Sequence, residues 1–295
     1  MSKANVYNVP ANFHDAHITP QKYKEMYKRS IDDPSGFWAD MATEFLDWNQ
    51  TWDRVVDYNF CKGQAQWFSG AELNVSYNCI DRHLAERANQ TALIWEGDNP
   101  DESIDISYAT LKDEVCKLAN TLKSRGIKKG DRVCIYLPMI PQAAYAMLAC
   151  ARIGAVHSVV FGGFSPEALK DRIIDSDCQL IITADESTRG GKNTSLKANV
   201  DKALLSCPDV HSCLVVKCSN KDIPWVDGRD LDYHETVNSM STDCPPESMA
   251  AEDPLFILYT SGSTGKPKGV LHTTAGYLLQ AAMTFKYTFD YRDGE

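Results

Sequence analysis

The stretch Arg132–Val160, RVCIYLPMIPQAAYAMLACARIGAVHSVV, decides the fold. Its opening run, Arg132 to Leu137, reads as an apolar strand. Pro141 to Arg152 reads as a helix closed by Gly154, and Val156 to Val160 as a second strand. A strand, a helix and a second strand within one such stretch form a βαβ unit, which sets the two strands parallel.

The same rhythm extends outward. Upstream, Tyr108 to Arg125 is an amphipathic helix with Leu111, Val115, Leu118, Ala119 and Leu122 on one face, and Gly126 ends it. Downstream, Ser165-Pro166-Glu167 opens a helix through its cap, first-turn and dipole preferences. Leu180–Thr183, Leu214–Lys217 and Leu255–Tyr259 read as further strands, Ser195–Leu205 and Thr273–Phe285 as further helices. The expected class is therefore α/β, with mostly parallel sheets and helices on both faces. Asn74–Ala88 looks helical, Ala92–Trp95 extended, and Gly97-Asp98-Asn99-Pro100 a turn. The polar stretch 217–249 reads as an excursion. Residues 1–70 read as an irregular extension that packs by its aromatic side chains, and residues 71–295 as the core domain.

Composition narrows the class of function. The chain has 295 residues, a formal net charge of −10, 43% hydrophobic and 24% charged residues, as in ordinary globular chains. An acidic balance disfavours nucleic acid and anionic membranes as partners. No apolar run is long enough to span a bilayer, and the N-terminus lacks the features of a signal or transit peptide. Ten cysteines show no C-x-x-C pair. They read as buried small hydrophobes in a reducing compartment, with a cytoplasmic location expected.

Ligands of open α/β sheets bind beyond the carboxyl ends of the strands. Three unusual loops fall there: Phe161-Gly162-Gly163-Phe164, Arg189-Gly190-Gly191-Lys192, and Thr260-Ser261-Gly262-Ser263-Thr264-Gly265-Lys266-Pro267-Lys268-Gly269. The third combines hydroxyl donors, glycines that let amides turn toward an anion, and two lysines, which together suit a triphosphate. It is not a Walker A loop, because Thr260 stands where that pattern needs glycine and Pro267 where it needs Ser or Thr. A flexible hydrophilic loop is the competing reading. His157 and His272 lie beside apolar strands and read as satisfied core or edge histidines, since nothing sets a nucleophile next to them.

The string Tyr259–Val270 resembles the phosphate-loop signature of the adenylate-forming superfamily. Ile94–Asp98, Met147–Val159, Phe161–Ala168 and Leu271–Thr274 are similar to acetyl-CoA synthetases in particular, and the likeness runs from about residue 8 to the end. The resemblance implies the N-terminal portion of the adenylate-forming fold. It also implies a two-step reaction, in which acetate attacks the α-phosphate of ATP to give acetyl-adenylate and pyrophosphate, and the thiol of CoA then displaces AMP. ATP, CoA and Mg2+ are the implied ligands. Thr260, Ser261, Gly262, Ser263, Thr264, Gly265, Lys266 and Lys268 would hold the β- and γ-phosphates, with Lys266 and Thr264 the implied catalytic residues. Solvated lysines that keep the loop soluble are the alternative for Lys266 and Lys268.

Arg189, Gly190, Gly191 and Lys192 align with a family segment that contacts CoA, usually with Arg at both ends. Lys192 departs from that pattern and loses the bidentate fork. Two solvated charges are the alternative. Gly162 and Gly163 would let the pantetheine arm pass close to backbone, or simply form the turn into the following helix. Family members are longer. The acyl pocket, the adenine and ribose contacts, the Mg2+ motif and the mobile domain with its adenylation lysine all lie past the equivalent of Glu295. The 295 residues are therefore expected to be inactive alone, with the missing C-terminal portion a possible partner. Propionate in place of acetate, a non-catalytic nucleotide- or CoA-binding module, and a structural protein that kept only the fold are the competing readings.

Overall fold

The computed structural model describes residues 10, 13, 15–99, 101–219, 221–260 and 267–294, apart from the side chain of Phe60. Seven strands form the main sheet: β1 (Arg132–Tyr136), β2 (Val156–Val159), β3 (Leu180–Ala184), β4 (Ser212–Val216), β5 (Asp230–Asp232), β6 (Pro254–Thr260) and β7 (Lys268–Thr273). Their order is β5-β4-β3-β1-β2-β6-β7. Every neighbouring pair from β5 to β6 is parallel, and β7 runs antiparallel at the edge. All five residues of β3 and of β4 are buried, as befits strands covered on both faces.

From β1 the chain steps to β2 on one side, then to β3 on the other. Right-handed crossovers in opposite directions lay the connecting helices Pro141–Arg152 and Pro166–Ser176 on opposite faces. The first packs with Tyr108–Ser124, the second with Leu196–Leu204. One core cluster fills both interlayers around Val133, Ile135, Ile182 and Leu214.

Four elements differ from the sequence expectations. Residues 1–70 are not irregular throughout: they contain helices Pro20–Asp32 and Pro34–Phe45 and a hairpin, Arg54–Asn59 with Gln64–Ser69. Each helix has proline in its first turn. Asp33 closes the first through its N–H to the Arg29 carbonyl and caps the second by accepting the Gly36 N–H at 3.0 Å. The region from 74 to 88 is broken into Val75–Cys79, a tight turn at Asp81–His83, and Leu84–Arg87. The 217–249 excursion supplies β5 and the helix Tyr233–Asn238. Lys268 and Gly269 are strand residues of β7, not loop residues.

The aromatic side chains of the N-terminal segment form a second core cluster, shared with Leu255 and Phe256 of β6 and with Leu278 of the helix Thr274–Met283. Its centre is Phe68, 1% exposed, whose ring centroid lies 5.4 Å from Trp48 and 5.1 Å from Trp52. Phe68 has φ +53°, a left-handed conformation that costs about 1–2 kcal/mol. Burial of the ring contributes about 2–3 kcal/mol and outweighs that strain.

Candidate functional site

β1 lies between β2 and β3, the strands reached in opposite directions, so the crevice outside its carboxyl end is the switch point of the sheet. Tyr136 closes β1 there. Its hydroxyl donates to the Phe164 carbonyl at 2.7 Å and receives Asn199 Nδ2 at 3.1 Å, while its own carbonyl accepts from Thr183 Oγ1 at 3.0 Å. These bonds tie the loop after β2 to β3 and to the helix Leu196–Leu204.

Phe161–Phe164 is a tight turn, with the Phe164 N–H on the Phe161 carbonyl at 3.0 Å. At Gly162 a Cβ would stand 3.3 Å from the Leu137 carbonyl oxygen, so the loop backbone runs against the end of β1. Ser165 then caps the next helix, accepting the Ala168 N–H at 3.3 Å.

Arg189-Gly190-Gly191-Lys192 is the tip of a hairpin, Glu186–Arg189 with Lys192–Ser195. Gly190 and Gly191 have φ +57° and +71°, the geometry of a primed two-residue turn, which glycine adopts without penalty. The hairpin follows β3 directly, and Asp185 anchors its base. That buried carboxylate accepts the Glu186 and Cys218 N–H groups at 2.7 and 2.8 Å, and the Ser219 N–H and hydroxyl at 2.9 and 2.8 Å. At the tip, Asp98 accepts the Gly190 and Gly191 N–H groups at 3.0 and 3.1 Å, and these amides hold its carboxyl below the ordinary value.

The two glycine loops meet. The Arg189 guanidinium lies over the Phe161 ring, 5.6 Å from its centroid. The end of β6 joins them through Arg172, whose guanidinium lies 4.6 Å from the Phe164 ring and 5.4 Å from that of Tyr259. The Tyr259 hydroxyl donates to Asp175 Oδ2 at 2.7 Å; burial, then this carboxylate, push its ionisation up. The parallel register pairs Phe256 with His157 and Ile257 with Ser158, so β2 and β6 run out toward the same edge. Thr260 pairs with Lys268 across the antiparallel edge. The expected phosphate-loop residues Ser261, Gly262, Ser263, Thr264, Gly265 and Lys266 lie outside the described residues.

Sequence reading missed Tyr136, Arg172, Asp185 and Asp98 as parts of this edge. Asp185, an acid directly after a buried and mostly apolar strand, was the one visible signal. The others act through contacts distant in the chain.

His157 and His272 flank Phe256 on neighbouring strands, with ring centroids 5.4 and 4.6 Å away. His157 is buried, and burial pushes it down to about 4. Its Nδ1 has no hydrogen-bond partner among the described residues, so it is not the satisfied core histidine expected. Seven of the ten cysteines are buried, and burial raises Cys178 to about 11 and Cys213 to about 12, which keeps these thiols protonated and inert. A cavity of about 320 Å³ lies at the opposite, amino edge, lined by Lys123, Ile127, Lys129 and Ile153, away from the loops. Among the described residues no helix is long and apolar enough to cross a membrane, and no cluster of His, Cys, Asp or Glu is placed to hold a metal ion.

Residues 80–295 match the family described as AMP-binding enzyme. The chain belongs to that family. In this AMP-binding enzyme chain, residues 23–79 also match the family described as acetyl-coenzyme A synthetase N-terminus. Acetyl-coenzyme A synthetases of Alkalilimnicola ehrlichii and Saccharophagus degradans are 62% and 63% identical to it over its whole length. The AMP-binding enzyme chain spans 46% of each of them, about half the length of these curated relatives. Acetoacetyl-CoA synthetase from Streptomyces lividans superposes with a TM-score of 0.86 at 28% identity, over 97% of this chain and 43% of that one.

Proposed function

We propose that the chain is part of an AMP-forming acyl-CoA synthetase that converts acetate, ATP and CoA to acetyl-CoA, AMP and pyrophosphate through an acetyl-adenylate. The carboxylate oxygen of acetate bonds to the α-phosphorus as pyrophosphate leaves. The CoA sulfur then bonds to the acyl carbon as AMP leaves. Both steps depend on positioning and on offsetting phosphate charge. The observation that carries the reading is the meeting of two glycine loops at the carboxyl edge, with Arg189 over Phe161.

In this reading Arg189 and Lys192 contact phosphates of CoA, with Gly190 and Gly191 forming the turn between them. Gly162 and Gly163 border the path of the pantetheine arm. Thr260 and Lys268 flank the stretch Ser261–Lys266, which would hold the β- and γ-phosphates of ATP, with Lys266 and Thr264 stabilising the departing pyrophosphate. Mg2+ is part of the reading; among the described residues no cluster of His, Cys, Asp or Glu is placed to hold a metal ion. We also infer a division into a 1–70 extension and a 71–295 core, supported by the aromatic cluster through which the extension packs on β6.

Because the chain spans 46% of those relatives, we infer that these 295 residues do not complete the reaction alone. Calorimetry with CoA and with ATP on the 295-residue chain tests the binding reading, and absence of both interactions overturns it. Acetate-dependent ATP–pyrophosphate exchange tests the second inference. A rate like that of a whole relative would overturn it.

A further inference from the structure

We propose that Asp98 is a positioning residue: its carboxylate tethers the tip of the 186–195 hairpin and thereby presents Arg189 and Lys192 to a phosphate-bearing ligand. The inference rests on the reading of that turn as a CoA contact, and deepens it.

The hairpin has four residues in each strand, and the second strand is wholly exposed. A two-stranded ribbon of this kind is marginal unless something else holds it. Asp185 fixes its base, as described above. At the tip, Asp98 offers one carboxylate oxygen to each of the Gly190 and Gly191 amides. Consecutive left-handed residues aim their N–H groups the same way and form a concave pair suited to an anion. Asp98 is that anion, supplied from within the chain.

Asp98 is itself fixed. It follows the strand Thr91–Glu96, whose hairpin partner is Ser103–Ser107. The Gly97 N–H donates to the Glu102 carbonyl at 2.7 Å, and the Glu102 N–H to the Asn99 carbonyl at 2.9 Å. Trp95 Nε1 donates to the Met139 carbonyl at 2.7 Å, which ties this hairpin to the segment after β1. A run of hydrogen bonds thus leads from the segment after β1 to the basic tip. No ion pair engages Arg189 or Lys192 among the described residues, and Arg189 rests on Phe161. Both charges stay available to a ligand, which meets the side chains because the carboxylate fills the amide pair.

Two effects oppose each other when the carboxylate is removed. Losing a nearby negative charge favours an anion, by about twofold at screened surface separations. Losing the tether leaves the ligand to order the turn itself, which weakens binding by about tenfold. The tether dominates.

The test is titration calorimetry of the 295-residue chain with CoA, together with trypsin cleavage after Arg189 and Lys192 without ligand. Asp98→Ala is expected to bind CoA about tenfold more weakly and to be cut at those bonds about tenfold faster. Asp98→Asn keeps one acceptor without the charge and is expected to recover part of both. CoA affinity equal to or above that of the unsubstituted chain, or unchanged cleavage, overturns the proposal. If the unsubstituted chain does not bind CoA, the CoA reading falls and cleavage alone decides the tether: faster cutting of Asp98→Ala upholds it, and equal cutting overturns it.

Discussion

Arg172 is buried beneath Phe164, its guanidinium carbon 4.6 Å from the ring centroid, and the Tyr259 ring lies 5.4 Å away. The guanidinium also donates to the Ala168 carbonyl at 2.6 Å, one turn back in its own helix. It forms no ion pair among the described residues, so two ring faces offset its burial. A planar, weakly hydrated cation suits that position and an ammonium does not.

Replacing Arg172 therefore uncouples the loop after β2 from the end of β6. Arg172→Leu keeps much of the volume and removes both ring contacts, and it is expected to cost about 2 kcal/mol. The urea midpoint at constant slope measures this. An unchanged midpoint would show that the two rings do not hold the guanidinium.

The Lys197 and Asp230 side chains, 2.9 Å apart, are fully buried; Lys197 also meets Asp201 at 2.7 Å, and Arg229 meets Asp230 at 2.6 Å. Asp230→Ala leaves a buried ammonium without one of its carboxylates and is expected to cost about 3–5 kcal/mol by chemical denaturation. Burial alone would raise the Asp230 carboxyl, but bonds from Arg229 and Lys197 outweigh it and hold it below the ordinary carboxylate value. Its folded value is thus the lower one. The stability it contributes is present above the unfolded value, about 3.9, and is lost as pH falls through the folded value.

His157 acts in a different window. Burial lowers it from 6.5 to about 4, so between those values the unfolded chain takes up a proton and the folded chain does not. Stability should fall by up to about 3 kcal/mol as pH drops from 6.5 to 4. Denaturation at stepped pH should show His157→Leu losing most of that slope. If the slope persists, another group is responsible.

Lys192 keeps a charge but not a fork. In the CoA reading, Lys192→Arg should tighten CoA binding by about threefold to tenfold, and Arg189→Ala should weaken it by about tenfold. Calorimetry at two salt concentrations checks both. Equal affinities would assign these side chains to solvent.

Much of the fold was legible because its strands are buried on both faces. Cys213 to Val216 has no polar residue and Leu180 to Ala184 only Thr183, so a near-continuous apolar run declares a central parallel strand, and punctuation at Pro141, Gly154 and Ser165 divides the helices. Edge elements were not legible. Asp230–Asp232 and Lys268–Thr273 lack that apolar signature because one side meets solvent or charge, and the N-terminal helices begin at the caps Thr19 and Asp33, each followed directly by proline, a signal that the aromatic-rich composition obscures.

The sequence by itself determined the parallel α/β core and which loops leave the carboxyl ends of its strands, since both follow from local pattern and chain order. Only the tertiary structure decided that Asp98 meets Gly190 and Gly191, and that Arg172 joins Phe164 to Tyr259. Those pairs lie far apart in the chain. They form because strand register and crossover direction place their loops at one edge, and no local preference encodes that placement.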